Sequence, residues 1–256
     1  MKELTIIYVT YNSKSIISKS LDLLDYKKNN FDVIVIDNNS SDGTAEYIKE
    51  NYEGVKLIRS DKNNGFGRAN NIGFRLAKTK YCLTLNPDVE FKGEDILLQL
   101  NEHKKLKNCL LSAPVSEDRL YIDSKDILKK KVSWVIGAAL MFDMEKLEKV
   151  GLFDESFFLF CEETDLCNRV INEGFDIYRF NSILAKHIGG GSSESSYNIT
   201  YLKYWHLAWS KMYLKRKNTN LFLAYRKALS YLLKNLIRLT FKGFYYESYI
   251  RRRHTI

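Results

Sequence analysis

Residues 32–44 read DVIVIDNNSSDGT: a continuous apolar run, a polar turn and the start of a helical pattern. The run Asp32–Asp37 has the length and the valine and isoleucine content of a buried strand, and Asp42-Gly43 leads into a helix predicted over Thr44–Asn51. A strand that lacks alternating polar residues is typical of a parallel sheet covered on both faces. This stretch therefore predicts an α/β fold.

Apolar runs and helical patterns alternate on both sides of this stretch. We predict a single Rossmann-like domain with a mainly parallel central sheet over residues 1–199, followed by a helical region over residues 200–256. A less regular segment is expected at residues 92–131, and a flexible loop at Ala185–Ser193. The further predicted strands are Leu4–Thr10, Val55–Arg59, Tyr81–Leu85, Val132–Phe142 and Asp176–Arg179, and the further predicted helices are Ser13–Leu24, Arg68–Lys78 and Leu166–Gly174.

The basic residues of the chain are concentrated at its end. Residues 200–256 hold 13 of the 40 Lys and Arg residues and one of the 31 acidic residues, so this region carries +12 while the first 199 residues carry −3. On a helical wheel of residues 221–239, apolar residues fall on one face and four basic residues on another. This pattern favours a helix in an anionic membrane interface. It fits nearly as well a helix that packs its apolar face on the preceding domain.

Composition and cysteine spacing indicate where the protein works. Basic residues interrupt the apolar stretch Leu221–Leu239, which therefore fails as a membrane span. The four cysteines match no zinc or disulfide framework, and a strand pattern starts directly after residues 1–3, which leaves no room for a signal peptide. We expect a cytoplasmic protein with reduced thiols and peripheral membrane contact. The chain lacks any motif for recognising nucleic acid.

Polar turns follow each of the four strands predicted in the first half. Ligands of parallel α/β sheets bind beyond the carboxyl ends of the strands, so these turns predict a binding site at one edge of the sheet. The turn at 64–67 precedes a helix and resembles a phosphate-binding turn, and Asp88 offers the oxygen ligands that Mg²⁺ or Mn²⁺ prefers. Each turn taken alone is also explained by helix capping or tight-turn chemistry. The turns are Tyr11-Asn12, Asp37-Asn38-Asn39-Ser40, Asp61 to Gly67, and Asn86-Pro87-Asp88.

Three acidic residues stand within four positions at Glu162, Glu163 and Asp165. Clustered carboxylates repel one another, which raises the pKa of one of them and suits a general base. Acidic residues also favour the N-terminus of a helix, which is the alternative explanation here. Further along the chain, His187 precedes three glycines and is a candidate metal ligand.

Taken in order, these motifs resemble those of family two glycosyltransferases, whose nucleotide-sugar-binding architecture is called GT-A. The resemblance runs from Leu4 to about Ser193. The NPD form and the GLFDE…CEETDLC segment are similar to the bacterial rhamnosyltransferase branch, which builds O-antigen, capsule or cell-wall linkage sugars. The segments that carry it are TYNS (10–13), VIVIDNNSSDGT (33–44), NNGFGRANNIG (63–73), LTLNPDV (83–89), GAALMF (137–142) and GLFDESFFLFCEETDLCNR (151–169), together with the late His187.

The resemblance implies a role for each matching residue. It implies that Asp37 reads the pyrimidine of a nucleotide-sugar donor, and that Asp88 and His187 bind one Mg²⁺ or Mn²⁺ ion. Glu163 stands at the position of the catalytic base. The implied donor-binding residues are Thr10, Tyr11, Asn12, Asp37, Asn39, Asn64, Gly65 and Asn86.

Two positions depart from the family's pattern. Asn86 replaces the first acid of the DxD motif, which removes a negative charge from the metal site. Glu163 replaces the usual Asp and is one methylene longer, so Glu162 and Asp165 remain alternative bases.

The resemblance implies an inverting, metal-dependent transfer of L-rhamnose from dTDP-L-rhamnose to a saccharide on a polyprenyl-diphosphate carrier. UDP-hexose and UDP-galactofuranose are alternative donors. The loss of one DxD acid also leaves open a non-catalytic protein that binds a nucleotide or a glycan on the same scaffold.

Overall fold

The computed structural model describes residues 2–116, 128–187, 197–219, 222, 223, 225, 226, 229, 230 and 233. Contacts between residues divide the chain into two compact units, Met1–Leu207 and Ala208–Ile256. The first unit holds the sheet and the helices that cover it. In the second unit, the described helix is the C-terminal part of a helix that covers Tyr197–Asn218.

Strands and helices alternate through most of the described chain. The strands are β1 (Leu4–Thr10), β2 (Asp32–Asp37), β3 (Lys56–Arg59), β4 (Tyr81–Leu85), β5 (Val89–Glu90), β6 (Cys109–Ser116), β7 (Lys129–Lys131), β8 (Ala139–Asp143) and β9 (Asp176–His187). The helices are α1 (Lys14–Leu24), α2 (Thr44–Asn51), α3 (Phe66–Leu76), α4 (Gly93–Lys104), α5 (Met144–Val150), α6 (Glu162–Asn172) and α7 (Tyr197–Asn218).

The parallel half of the sheet consists of β3, β2, β1 and β4, in that order. The register places Thr10 of β1 opposite Asp37 of β2, and Tyr8 of β1 opposite Leu85 of β4. Because these parallel strands end at the same edge, the polar turns that follow them lie side by side. The predicted α/β fold with parallel early strands is confirmed.

The rest of the sheet is mixed. β8 lies antiparallel between β4 and β6, and β6 runs parallel to β9. The short strands β5 and β7 both pair antiparallel with β9. In the first of these pairings Val89 lies opposite His187, so that β9 returns to the edge where the early turns lie.

Helices cover both faces of the sheet. Ile6 of β1 packs in one core with residues of α1, α2 and α4, including Ile17. The adjacent Ile7 faces a second core, which holds Phe74 of α3 and Leu166 of α6. Successive strand residues point to opposite faces, so a strand buried on both faces must be apolar throughout, as β1 is.

Glycine brings α3 close to the sheet. A Cβ added to Gly73 would lie 2.4 Å from Cγ2 of Ile7, a distance that no side chain at residue 73 would tolerate. This close approach fixes α3 against β1 and places the turn that precedes it at the edge where β1, β2 and β4 end.

Three predicted elements in the second half are wrong in extent. Residues 92–131 contain α4, β6 and β7, so the described part of this segment is more regular than expected. Of the predicted strand Val132–Phe142, only the part from Ala139 pairs in the sheet; the loop at 132–138 nevertheless buries Val135. The predicted loop at Ala185–Ser193 starts as strand, because β9 continues to His187 and pairs with β5. Residues 188–193 lie outside the described residues.

The helix with the acidic residues starts earlier than predicted. α6 begins at Glu162 instead of Leu166, which places Glu162, Glu163 and Asp165 in its first turn. Negative charge at this end interacts favourably with the exposed N–H groups of the helix, which explains why the acidic residues extend it.

A helix is present after the sheet, as predicted. α7 covers Tyr197–Asn218, whereas most of the amphipathic segment predicted at 221–239 lies outside the described residues. Within the part of the chain that the structure describes, no helix has both the length and the apolar content needed to cross a bilayer.

Candidate active site

The carboxylate of Asp37 is the centre of a buried hydrogen-bond cluster at the end of β2. Thr10 Oγ1 donates to Asp37 Oδ1 over 3.0 Å from the neighbouring strand. Ser40 donates its hydroxyl to Oδ1 (2.5 Å) and its backbone N–H to Oδ2 (3.0 Å). A carboxylate accepts about four hydrogen bonds, so these three orient the group and leave capacity for one more.

The turns after β1 and β2 are cross-linked beside this cluster. Asn12 N donates to Ser40 Oγ (2.9 Å), and Asn12 Oδ1 accepts from Ser41 N (2.8 Å). Asn12 and Asn39 both adopt left-handed backbone conformations, with φ of 52° and 64°, which asparagine tolerates better than most residues. The side chains of Asn39 and Tyr11 are exposed, so the turns form a fixed rim with two side chains open to a ligand.

The turn before α3 is held from two sides. Asn38 donates through Nδ2 to Gly65 O (2.9 Å) and accepts at Oδ1 from Asn64 N (3.3 Å). Gly65 has φ of 77°, and a Cβ added there would lie 2.1 Å from Phe158 O. Phe66 N donates to the same carbonyl over 2.9 Å. Only glycine fits at residue 65, and the turn is in direct backbone contact with the segment that leads into α6.

The two predicted metal ligands meet where β5 pairs with β9. His187 Nε2 lies 3.4 Å from Asp88 Oδ1. Asp88 is buried, and its Oδ1 accepts no hydrogen bond from the described residues. Asn86, two residues earlier, donates its backbone N–H to Ala138 O (2.9 Å), which fixes this turn against the loop at 132–138.

This pair fits a divalent cation that takes further ligands from a substrate. A buried carboxylate oxygen without a hydrogen bond costs free energy, and a bound cation would offset that cost. Mg²⁺ is commonly held by one or two carboxylates plus substrate phosphates, the ligand set that Asp88 could share. Among the described residues no three His, Cys, Asp or Glu side chains come together, so a cation here would depend on the substrate for ligands.

Glu162 and Glu163 occupy confined positions in the first turn of α6. Glu162 is buried against Gly67 of α3, and Glu163 is half-buried against Gly137. Burial raises the pKa of both carboxyl groups, and the charge of Glu163 raises the pKa of Glu162 further. Both positions therefore favour the protonated carboxyl group more than water does, and Glu163 is the more accessible of the two.

Asp165 is placed differently from its two neighbours. Its Oδ2 accepts from Arg169 Nε (2.8 Å), one helical turn later. The same guanidinium donates to the carbonyl oxygens of Val150 (2.9 Å), Gly151 (2.9 Å) and Leu152 (2.7 Å). This network fastens α6 to the chain after α5, and the buried ion pair commits the carboxylate of Asp165 to structure.

Two consecutive residues before α6 have left-handed backbones. Phe160 and Cys161 have φ of 71° and 69°. This conformation costs about 1 kcal/mol or more for any residue other than glycine. No glycine marks these positions in the sequence, so sequence reasoning missed them. The bend directs the chain from Phe158, beside the turn before α3, into the acidic turn of α6.

The structure connects the turns and segments that carry the predicted site residues. Asn38 and Ser40 join the turns after β1, β2 and β3, and Phe158 joins them to α6. The loop at 132–138 contacts both the turn after β4, through Ala138, and the acidic turn, through Gly137.

Sequence reasoning missed three further residues of this region. Trp134 Nε1 donates to Thr164 Oγ1 (3.0 Å), and the Thr164 hydroxyl donates to Glu163 Oε1 (3.3 Å). Trp134 was hidden in a run that resembled a strand. Arg169 could have been found, because it stands four positions after Asp165 in a helix, the spacing of an ion pair.

Residues 5–161 match the sequence model of the family described as Glycosyl transferase family 2. The match covers more than half of the chain. The protein belongs to glycosyl transferase family 2.

Similar proteins agree with this family. Rhamnosyltransferase WbbL of Escherichia coli (strain K12) is 27% identical over 248 residues, which cover 83% of this chain and 92% of that protein. The dTDP-rhamnosyl transferase RfbF of Shigella flexneri is 26% identical over 210 residues, which cover 73% of this chain and 69% of the relative. The mannosyltransferase PcManGT from Pyrobaculum calidifontis, solved in complex with GDP-Man and Mn²⁺, shares the fold with a TM-score of 0.66 and 18% identity, over 89% of this chain and 68% of that one.

The family match ends at Cys161, immediately before α6. In this family 2 glycosyltransferase the turns after β1, β2, β3 and β4, including Asp88, therefore lie inside the matched range, whereas Glu162, Glu163 and His187 lie beyond it. Roles for the residues after Cys161 rest on their geometry in this chain.

Proposed function

We propose that this glycosyltransferase is an inverting, metal-dependent enzyme that moves L-rhamnose from dTDP-L-rhamnose to a saccharide on a polyprenyl-diphosphate carrier, at the cytoplasmic face of the plasma membrane. One observation carries the chemistry: two carboxyl groups of raised pKa, Glu162 and Glu163, begin α6 beside the turn before α3. A sugar hydroxyl needs a base whose pKa lies nearer neutrality than that of an ordinary carboxylate.

In the proposed reaction Glu163 accepts the proton of the acceptor hydroxyl while that oxygen attacks C1 of the donor sugar. The bond from C1 to the diphosphate breaks as the new bond forms on the opposite face, which inverts the configuration at C1. The bonding electron pair leaves with the nucleoside diphosphate. Asp88 and His187 would hold a divalent ion, which would supply positive charge to stabilise the leaving diphosphate.

The choice of Glu163 as the base rests on its exposure. A base must be reachable by the acceptor, and Glu163 is only half-buried. Glu162 is buried, and its raised pKa favours the protonated form, so it does not compete for the acceptor proton. Asp165 is paired with Arg169, and we assign it a positioning role.

The choice of donor rests on similarity and on the Asp37 cluster. Two relatives are named for rhamnosyl transfer, and one of these names specifies the dTDP donor. The free acceptor capacity on Asp37 suits the ring N–H of thymine or uracil, and Asn39 and Tyr11 are available at the rim of the same turns.

A thermal-shift panel tests this donor assignment. The purified protein is melted with MnCl₂ and one of dTDP-L-rhamnose, UDP-glucose, UDP-galactofuranose or GDP-mannose. At equal concentrations the nucleotide sugar with the lowest Kd stabilises most, so we expect the largest rise in melting temperature with dTDP-L-rhamnose. A ligand at 100 times its Kd adds about 2.7 kcal/mol to the free energy of unfolding. Leu98→Ala, an exposed change on α4, is the control and should respond as the wild type does.

If a UDP-sugar or GDP-mannose stabilises the protein more, that nucleotide sugar is the donor and the dTDP-L-rhamnose assignment is wrong. The assignment as a transferase is unaffected by this result. Stabilisation by donor without transfer to any alkyl-diphosphate-linked hexoside would instead favour a non-catalytic binding protein.

We further propose that the C-terminal region contacts an anionic membrane, where a lipid-linked acceptor resides. The sequence of α7 contains no acidic residue, and the helix exposes Tyr204, Trp205 and Trp209. Tryptophan and tyrosine favour the headgroup region, and each basic residue near an anionic surface adds about 1 kcal/mol. The charge of +12 over residues 200–256 supports the same conclusion.

Truncation after Lys217 should therefore reduce sedimentation with liposomes that contain phosphatidylglycerol, and replacing Lys234 and Arg238 by Glu should reduce it in part. Neutral phosphatidylcholine liposomes are the control, since charge attraction is absent there. If the truncated protein keeps full liposome binding but melts at a lower temperature, the tail instead packs on the catalytic domain.

A further inference from the structure

The loop at 132–138, between β7 and β8, is held at both ends and in its middle. Val132 N donates to Ile177 O of β9 (2.9 Å), and Ala138 O accepts from Asn86 N (2.9 Å). Between them Val135 is buried in the core beneath α6. The loop is therefore attached to the sheet edge, and it joins the turn that carries Asp88 to the helix that carries Glu163.

Trp134 is exposed in the middle of this pinned loop. Its exposed fraction is 40%, although the next residue, Val135, is 3% exposed. A tryptophan in water leaves a large apolar surface unburied, which is unfavourable unless a partner covers it. The indole is oriented, because Nε1 donates to Thr164 Oγ1 over 3.0 Å. The ring is oriented by this hydrogen bond and has apolar surface available to a ligand.

The same hydrogen bond connects the ring to the proposed base. Thr164 has a single hydroxyl proton; since its oxygen accepts from Trp134, that proton is directed to Glu163 Oε1 (3.3 Å). Gly137, three residues after Trp134, lies against the side chain of Glu163, where an added Cβ would be 3.6 Å from Glu163 Cβ. The ring and the carboxylate thus belong to one wall of the site.

We infer that Trp134 is the platform on which the acceptor sugar packs, with its reacting hydroxyl directed to Glu163. This inference rests on the proposed function. A pyranose has an apolar face of C–H groups and a rim of hydroxyls. An oriented indole beside a hydrogen-bonding carboxylate is complementary to both parts. Through Thr164, Trp134 also acts as a positioning residue for the base.

Three variants separate the ring from the hydrogen-bond chain. Trp134→Leu removes both, Trp134→Phe keeps an aromatic ring without the N–H, and Thr164→Val keeps the ring and breaks the chain at its middle. Initial rates are measured with labelled dTDP-L-rhamnose and a panel of alkyl-diphosphate-linked glucose, galactose and N-acetylglucosamine. Melting temperatures are recorded for every variant.

We expect Trp134→Leu to raise the KM for the acceptor at least ~10-fold, as for loss of a central aromatic contact, with the donor KM changed less than about twofold. Trp134→Phe should retain most of the acceptor affinity. Thr164→Val should lower kcat about fivefold, as for one lost hydrogen bond, with the acceptor KM unchanged.

An unchanged acceptor KM in Trp134→Leu would overturn the inference, and a raised donor KM in its place would mean that the ring stacks on the donor. If Trp134 has a purely structural role, the loss of activity in the three variants should instead parallel the decrease in their melting temperatures.

Failure of the proposed function is recognised separately, as absence of transfer by the wild type. In that case the inference is read from fluorescence in a Trp205→Phe/Trp209→Phe protein, in which Trp134 is the remaining tryptophan. Saturable quenching by one of the panel sugars supports the platform, and no change at millimolar sugar contradicts it.

Discussion

Replacing Glu163 by Gln is expected to lower kcat by at least ~10²-fold, the usual loss when a general base is removed. Gln has nearly the same shape and can still interact with Thr164, so the KM for the donor should change little. Glu162→Gln is the matched control: a carboxyl group that retains its proton resembles an amide, so this variant should keep most of its turnover. Single-turnover rates with labelled donor measure both.

The pH dependence provides a second measurement of the same assignment. Glu163 must be ionised to accept a proton, and its pKa is raised, so kcat/KM should fall as the pH drops through a value above the ordinary glutamate pKa of about 4.3. Glu162→Gln replaces a carboxyl group whose raised pKa keeps it protonated over this range, so the acidic limb should remain. If Glu162→Gln or Asp165→Asn is the inactive variant while Glu163→Gln turns over normally, the base has been assigned to the wrong residue.

Removal of the metal should abolish transfer. EDTA is expected to bring the rate to background, and Mn²⁺ or Mg²⁺ in excess should restore it. Asp88→Asn should lose activity and also lose any increase in melting temperature that Mn²⁺ produces with nucleoside diphosphate, because it removes the charged oxygen available to the ion. Glu94→Gln changes an exposed carboxylate on α4 and should retain both responses.

Full activity in the presence of chelator would contradict the metal assignment. If Asp88→Asn is inactive but keeps the Mn²⁺-dependent stabilisation, the ion binds elsewhere and Asp88 contacts the donor directly.

Local sequence patterns were sufficient for the parallel half of the fold. β1, β2, α2 and β4 have the bounds that were predicted, because each strand is buried on both faces and is followed by a turn with its own chemistry. The same reasoning failed at residues 132–138. That run is apolar since Val135 is buried, but burial does not specify strand pairing, and the segment is held by contacts with Asn86 and Ile177 instead.

The candidate site could be proposed from the sequence only in part. The order of the motifs pointed to the turns, the acidic residues and His187, whose roles stay predictions. The contact of Arg169 with Val150 and the hydrogen bond from Trp134 to Thr164 join segments 19 and 30 residues apart, which no local period reveals. Side-chain burial also separated Glu162 from Glu163, which are adjacent in sequence and chemically identical.

The contact between Gly65 and the carbonyl of Phe158 leaves no room between the turn before α3 and the segment that leads into α6. Under the proposed function, a donor that displaced this turn would also displace Phe158, and with it the start of the helix that carries the carboxyl pair. Donor binding would then change the affinity for the acceptor through the main chain. By reciprocity, acceptor binding would change the affinity for the donor by the same factor. Because this coupling runs through backbone atoms, most side-chain replacements between the two sites would leave it unchanged, whereas replacing Gly65 would abolish it.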